Sequence, residues 1–374
     1  MKRRLGFKLV LASLILSSSA LFAHGVIKIG VQAPITGKYA SEGQAIDNFV
    51  RLIAKQENAK GGIIGKKIKV LTCDDEGKSQ KAAVCARKFS DAKVLAVIGS
   101  YTSNAALAAQ TIYFRNHILQ TTDGTSNKLI AKKYWTFFRN SYPNSAEGSF
   151  TAKYLVKDRH FKRIVVLSDY SSYSNGLANA AETAIKDIGG NVVYRGKIKS
   201  GTQNFTAILT KIKSLRPDAI YFSGYFSDGG LIRSQQKELG IKAVFIGGDS
   251  NDNPNFAKLA GDAAKGSLII NFPSPKTLPY KIAKTYIKAY KEAYKTNLPS
   301  IFPVLNADGL RVILYAIKTT KSTDTKKISN FLHNLKDYPG ITGPITFRKD
   351  GERINVKFLV YQLQKDGSYK VLNK

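Results

Sequence analysis

At 374 residues, with 43% hydrophobic and 22% charged residues, the chain carries enough apolar material for two globular domains, which excludes a disordered polymer. Its 58 Lys and Arg against 26 Asp and Glu give a formal charge of +32, a balance that raises nucleic-acid binding as a question. The lysines are spread over almost every predicted helix face and loop, with no basic tail and no RNP1 pattern, so the charge reads as a generally basic surface and nucleic acid is set aside.

The first segment has the form of a secretory signal. Lys2, Arg3 and Arg4 precede an apolar run from Leu9 to Leu16 and then small residues, giving an expected leader over 1–23 cut after Ala20 or Ala23. The apolar run falls short of the roughly 20 residues a membrane span needs, so the mature protein is expected to be soluble and extracytoplasmic. Val26 to Ala33 reads as a first strand. Ser41 to Ala59 follows as a helix, with Ile46, Phe49, Val50 and Ile53 at helical spacing and Gly61 and Gly62 as its stop. Strands at Lys67 to Cys73, Val94 to Gly99 and Ile118 to Thr122 then alternate with helices at Ser79 to Ser90 and Asn104 to Asn116.

Pro143 interrupts the pattern, and a second series begins near Ala146. Strands at Arg163 to Ser168, Asn191 to Gly196, Ala219 to Gly224, Ala243 to Gly248 and Gly266 to Asn271 alternate with helices. Helices near Tyr280 to Lys295, Asp308 to Thr320 and Lys326 to Leu335 come next, and short strands at Ile345 to Phe347 and Asn355 to Gln362 close the chain. This order predicts an α/β protein of two doubly wound parallel-sheet lobes joined by a three-strand hinge. Lobe 1 is expected over 26–142 plus 272–343, and lobe 2 over 143–271 plus 344–374.

Catalytic and metal signatures fail in turn. No G-x-G-x-x-G and no G-x-S-x-G occurs, and GGIIGKK at Gly61 has neither the glycine spacing nor the Ser or Thr of a phosphate loop. Asp249, Asn251 and Asn253 open like a calcium loop, but Pro254 stands where glycine is required and Ala260 where the closing Glu belongs. Asp74, Asp75 and Glu76 are read as favouring the start of the next helix. Cys73 and Cys85 leave a local disulfide open in an oxidising compartment, while the four scattered histidines offer no metal set. No enzyme, metal or cofactor is therefore expected.

Ligands of open parallel sheets bind beyond the carboxyl ends of the strands. That rule selects Ser100 to Asn104 and Thr122 to Ser126 in the first lobe, and Asp169 to Tyr173, Tyr225 and Asp249 in the second. Hydroxyls and helix-start amides on one side, with rings and a carboxylate on the other, match a zwitterion.

These loops sit among segments that resemble the periplasmic branched-chain amino-acid binding proteins of ABC transporters, which have the type I periplasmic-binding fold. The resemblance runs from about Ile27 to near the C-terminus. It is carried by IKIGVQAPITG, ENAKGGIIGKKIKV, CDDE, VLAVIGSYTS, SDYSSYSNG, IYFSGY and ITGPITF in order. It implies that Ser103 and Thr125 hold a ligand α-carboxylate, that Thr125 and the Asp123 carbonyl touch its ammonium, that Tyr173 and Tyr225 close over it, and that Asp249 pairs with the ammonium. Glu42 falls where the family can carry an aromatic residue, Tyr101 and Thr102 replace smaller or apolar wall residues, and Phe302 keeps an apolar one. The ligand thus stays open between a leucine-like solute and a polar amino acid, an amide or urea-like solute, or an aromatic acid. Glu42 itself either lines the pocket or faces solvent. The implied role is a monomeric carrier for an inner-membrane ABC permease; a free-standing sensor feeding a receptor or kinase is the alternative.

Overall fold

The computed structural model describes residues 25–355, 357–365 and 368–373, so the expected leader over 1–23 lies outside the described residues. The first sheet has the order β2-β1-β3-β4-β5 and is parallel throughout. Its strands are β1 (Val26–Ala33), β2 (Lys67–Asp74), β3 (Ala96–Gly99), β4 (Leu119–Thr122) and β5 (Phe137–Arg139). Helices α1 (Ala40–Ala59), α2 (Ser79–Asp91) and α3 (Ser103–Arg115) connect the first four strands. The Ile46, Phe49, Val50 and Ile53 stripe of α1 is buried, as its period requires.

The second sheet has the order β14-β13-β10-β9-β8-β6-β7. Helix α4 (Asn144–Lys153), which runs on as a π turn to Asp158, leads into β6 (Ile164–Ser168), α5 (Ser172–Asp187) and β7 (Val192–Lys197). Next come α6 (Thr206–Ser214), β8 (Ala219–Phe222), α7 (Phe226–Glu238), β9 (Val244–Gly247), α8 (Pro254–Ala260) and β10 (Leu268–Asn271). The chain then returns to the first sheet with α9 (Lys281–Tyr294), α10 (Phe302–Thr320) and α11 (Thr325–Leu332). Of these, α10 packs on α1, β3 and β4. A hairpin of β11 (Tyr338–Gly340) and β12 (Gly343–Ile345) follows. Last, β13 (Leu359–Leu363) and β14 (Tyr369–Val371) join the second sheet antiparallel. The chain thus crosses between the sheets three times, after β5, after β10 and after β12.

Strands β5, β11 and β14 and helix α8 escaped the sequence reading, and the expected Ile345 to Phe347 strand is displaced by two residues to β12. The β11–β12 hairpin is short and interrupted by Pro339 and Pro344. Strand β5 was hidden because its third residue is Arg139, a charge at a core position. Arg139 is fully buried beside Glu352, with Nε 2.8 Å from Oε1, and it bridges β5 to the third crossing segment.

Cys73 and Cys85 are bonded, with Cα atoms 5.6 Å apart, and join the end of β2 to α2. The Asp74 to Lys78 loop between them corrects the helix-start reading of its acids. Lys78 precedes α2 without a side-chain cap. Asp74 instead accepts from the Ile35 amide (2.9 Å) and the Thr36 hydroxyl, and Asp75 accepts from Gln32 Nε2 (2.9 Å), the Ser100 hydroxyl and the Gly77 amide (2.8 Å). A buried Asp75 gains more from three donors than an exposed helix start could give it.

Removing one member of a buried ion pair strands the other, at a cost of about 3–5 kcal/mol. Glu352→Gln is therefore expected to lower the thermal midpoint clearly. A melt indistinguishable from the parent protein would show that Arg139 is solvated or paired elsewhere.

Candidate ligand-binding cleft

The first wall is built from the loops that leave β3 and β4. Gly99 ends β3 at φ +112°, where an added Cβ would lie 2.0 Å from the Gln32 carbonyl oxygen, so only glycine turns the chain here. Thr102 caps α3, accepting from the Ala105 amide (3.4 Å), and its hydroxyl donates to the Gly77 carbonyl (3.2 Å). Ser103 accepts from the Ser126 amide (3.2 Å), and the Thr122 hydroxyl donates to the Ser100 carbonyl (2.8 Å). Behind them Arg139 Nη1 donates to the carbonyls of Gly124 (3.3 Å) and Ser126 (3.1 Å). The two loops are thereby locked into one wall. Within it, the Thr125 hydroxyl and both carboxylate oxygens of Asp123 are buried without a hydrogen-bond partner.

The second wall comes from the loops after β6, β8 and β9. Tyr173, in the first turn of α5, donates its hydroxyl to Asp249, which also accepts from the Ser250 amide (2.7 Å) and lies 3.3 Å from the Tyr142 hydroxyl. The buried Glu147 accepts from the Asp249 amide (3.1 Å). Asn144 ties this wall to the first, its amide donating to the Thr125 carbonyl (2.8 Å) and its side chain to the Tyr173 carbonyl (2.9 Å).

The walls meet through rings. Tyr225 packs on Tyr39 (centroids 4.6 Å apart), Tyr173 (4.9 Å) and Tyr101 (5.9 Å), and Tyr101 continues to Phe302 (5.3 Å). Polar contacts also cross: Ser172 N to Asn104 Oδ1 (2.8 Å), Asn253 Nδ2 to Glu42 Oε1 (2.7 Å) and Lys38 Nζ to Ser200 Oγ (2.6 Å). Outside the rings lies a cavity of about 580 Å³, lined among others by Lys38, Tyr39, Gly77, Thr102, Asp169 and Tyr225. Ser103, Asp123, Thr125, Tyr173 and Asp249 do not line it. They are buried behind Tyr39 and Tyr225, so the cavity is the mouth of the cleft and the polar groups form its floor.

The structure brings Tyr101, Tyr173, Tyr225, Asp249 and Phe302 together, and it sets Ser103, Asp123 and Thr125 on the facing wall. Thr102 serves as a cap on the rim. Glu42 does not face solvent. It is fully buried, accepting from Asn253 and from Ser300 Oγ (2.8 Å). Tyr39, Tyr142, Glu147 and Asn253 were missed as cleft residues. Tyr39 alone had a sequence signal, an aromatic residue in the loop that follows the first strand.

Burial sets the electrostatics. It pushes Glu42 up to about 8, Asp123 up to about 7 and Asp249 up to about 6, with hydrogen bonds offsetting part of the shift at Glu42 and Asp249 and the nearby Asn306 amide part of that at Asp123. Glu147 beside Asp249 is raised as well, chiefly by burial and then by Asp249 itself.

The family model for periplasmic binding proteins matches residues 26–368. The Leu/Ile/Val-binding protein BraC3 of Rhizobium johnstonii is 29% identical over 359 residues, covering 95% of this chain and 96% of that one. Among solved structures, the leucine binding protein LivK of Thermotoga maritima superposes with a TM-score of 0.87 at 29% identity, over 93% of this chain and 98% of the other. The branched-chain amino acid transporter substrate binding protein LivJ of Streptococcus pneumoniae, in complex with isoleucine, gives a TM-score of 0.84 at 27% identity, over 93% and 99%.

A carboxyl whose pKa is raised on folding binds protons in the folded state at pH values where the unfolded chain has released them, so stability falls as pH rises through that interval. For Glu42, Asp123 and Asp249 the interval runs from their ordinary values near 4 up to about 8. The unliganded protein should therefore melt at a lower temperature at pH 8 than at pH 5.5, and Glu42→Gln should flatten that slope. A midpoint that rises with pH and ignores the substitution would contradict this.

Proposed function

The chain belongs to the periplasmic binding protein family, and from that premise we propose that it is the extracytoplasmic solute-binding component of an ABC uptake transporter. It captures an amino acid or a related small zwitterion, amide or acid between its lobes and presents it to an inner-membrane permease. The supporting observation is the chemical polarity of the cleft floor. Asp249 is a fully buried, acceptor-only group held by Tyr173 and Ser250. Opposite it, the Ser103 and Thr125 hydroxyls stand at the N-terminal end of α3 and in the loop it contacts. Partial positive charge at a helix start favours a carboxylate, and a buried carboxylate favours an ammonium. One small zwitterion satisfies both.

In this reading Ser103, Thr125 and the Asp123 carbonyl take the backbone of the ligand, and Tyr173, Tyr225 and Tyr39 close over it. The cross-lobe contacts of Glu42, Asn104 and Lys38 belong to the closed state, and the three crossing segments let the lobes part. Ligand binds the closed state better than the open one, so occupancy shifts the population toward the form that docks on the permease. The solute leaves unchanged. Export by the leader places this exchange in the periplasm.

The test is a thermal-shift screen of the exported protein against amino acids, amides and small aromatic acids, with chemical analysis of the recovered solute. An amino acid should raise the midpoint and be recovered intact. Asp249→Asn, which removes the charge and keeps the shape, should weaken binding by about 2 kcal/mol, or roughly 30-fold. An unchanged dissociation constant would remove Asp249 from the ammonium role, and a chemically altered solute would overturn the carrier reading.

A further inference from the structure

Asp123 is the polar group that the amino-acid reading does not absorb. That reading uses only its backbone carbonyl. Its side chain is 1% exposed, and neither oxygen has a hydrogen-bond partner. The nearby Asn306 amide donates to the Phe302 carbonyl (3.0 Å) and its second N–H offsets part of the cost of burying Asp123, without reaching full hydrogen-bond geometry. The charged groups that chiefly act on it are Asp249 and Asp75, both of its own sign, and its own field reaches Glu42 and Tyr225.

Among the described residues, no cation answers this demand. Arg139 lies behind the same loop, but its Nη1 is turned to the carbonyls of Gly124 and Ser126 and its Nε faces Glu352. The buried Arg353 donates to Asn140, Thr342 and Pro344. Asp249 is engaged by Tyr173 and Ser250, and Glu42 by Asn253 and Ser300. Asp123 therefore stands as a buried carboxyl that no described residue engages at hydrogen-bond geometry, and the matching partner has to arrive with the solute.

We propose that the Asp123 carboxylate is a specificity determinant that pairs with a second, cationic N–H group of the ligand, so that the solute is an amino acid with an amine or guanidine side chain. The proposal rests on the assignment of the α-ammonium to Asp249. With that charge taken, a branched aliphatic side chain would leave Asp123 buried and unpaired, whereas a second cation satisfies it. The Tyr101, Tyr225 and Phe302 rings suit the rest of such a ligand, since they cover a methylene stem and offer π faces to a cation.

Titration calorimetry on the exported full-length protein tests this with L-lysine, L-ornithine and L-arginine against L-glutamine and L-leucine. At least one cationic amino acid should bind about 100-fold or more tightly than leucine, because a site built around a buried polar partner rejects analogues that lack it. Asp123→Asn and Asp123→Ala both keep the backbone carbonyl. Each should abolish most of that preference while leaving the unliganded melting temperature equal or higher, since an unpaired buried charge is removed. A merely structural Asp123 would instead lower the melting temperature and weaken all amino acids alike, which overturns the proposal. Leucine binding as tightly as lysine, or glutamine binding more tightly, also overturns it and leaves the amino-acid reading intact. Failure of every amino acid to bind the parent protein removes that underlying reading too.

Discussion

Glu42, Asp123 and Asp249 lose their water when the two sheets face each other, and what the cleft does follows from how that loss is compensated. A carboxylate in a protein interior is costly unless hydrogen-bonded or paired. Here compensation is uneven. Glu42 and Asp249 hold donors from the protein, whereas Asp123 holds none, and all three are raised toward or beyond neutral by burial. In the proposed carrier, a ligand that brings positive charge or N–H groups relieves this cost, which couples closure to occupancy without a separate switch.

For that coupling to be selective, the floor has to stay put while the lobes move. The structure spends buried polar groups on this. Arg139 grips two carbonyls of the Asp123 loop and leans on Glu352, so the same side chain fixes the loop and the third crossing segment. Asp75 gathers Gln32, Ser100 and Gly77, and the Cys73–Cys85 bond holds the loop that carries Asp75 against α2. Preorganised groups bind better because their ordering cost falls on folding and not on binding. The mobile contacts are different in kind. They are single hydrogen bonds and ring faces across the gap, each of modest strength and easily replaced by water.

The α/β alternation was legible because parallel strands buried on both faces read as apolar runs, and because amphipathic helices such as α1 keep a 3.6 period. The strand-end rule then picked out the loops of both walls. What stayed hidden were residues whose role depends on partners far along the chain. Arg139 broke the pattern of β5 because its partner lies 213 positions away at Glu352, by the two residue numbers. Glu42 stayed open between pocket and solvent because the partners that bury it, Asn253 and Ser300, lie 211 and 258 positions away. The Asp74 to Glu76 run looked local for the same reason, yet its bonds reach Ile35, Thr36, Gln32 and Ser100. Charged residues at core positions carry their meaning in the partner, and single-sequence periodicity does not contain the partner.

The formal charge of +32 and the acidic floor are two sides of one arrangement. Lysines such as Lys38, Lys78 and Lys199 stand at the mouth, exposed to water, where salt screens them within about 8 Å at physiological ionic strength. The carboxyls behind Tyr39 and Tyr225 lie in a drier medium and are screened far less. For the zwitterion proposed above, the surface charge acts on the rate of approach by drawing in the carboxylate end, while the floor decides which solute stays. A basic exterior is no argument against a cation-selecting interior, because the two fields act at different distances and in different dielectrics. Both fields favour the proposed orientation: carboxylate toward the hydroxyls and helix start of the first lobe, ammonium toward Asp249.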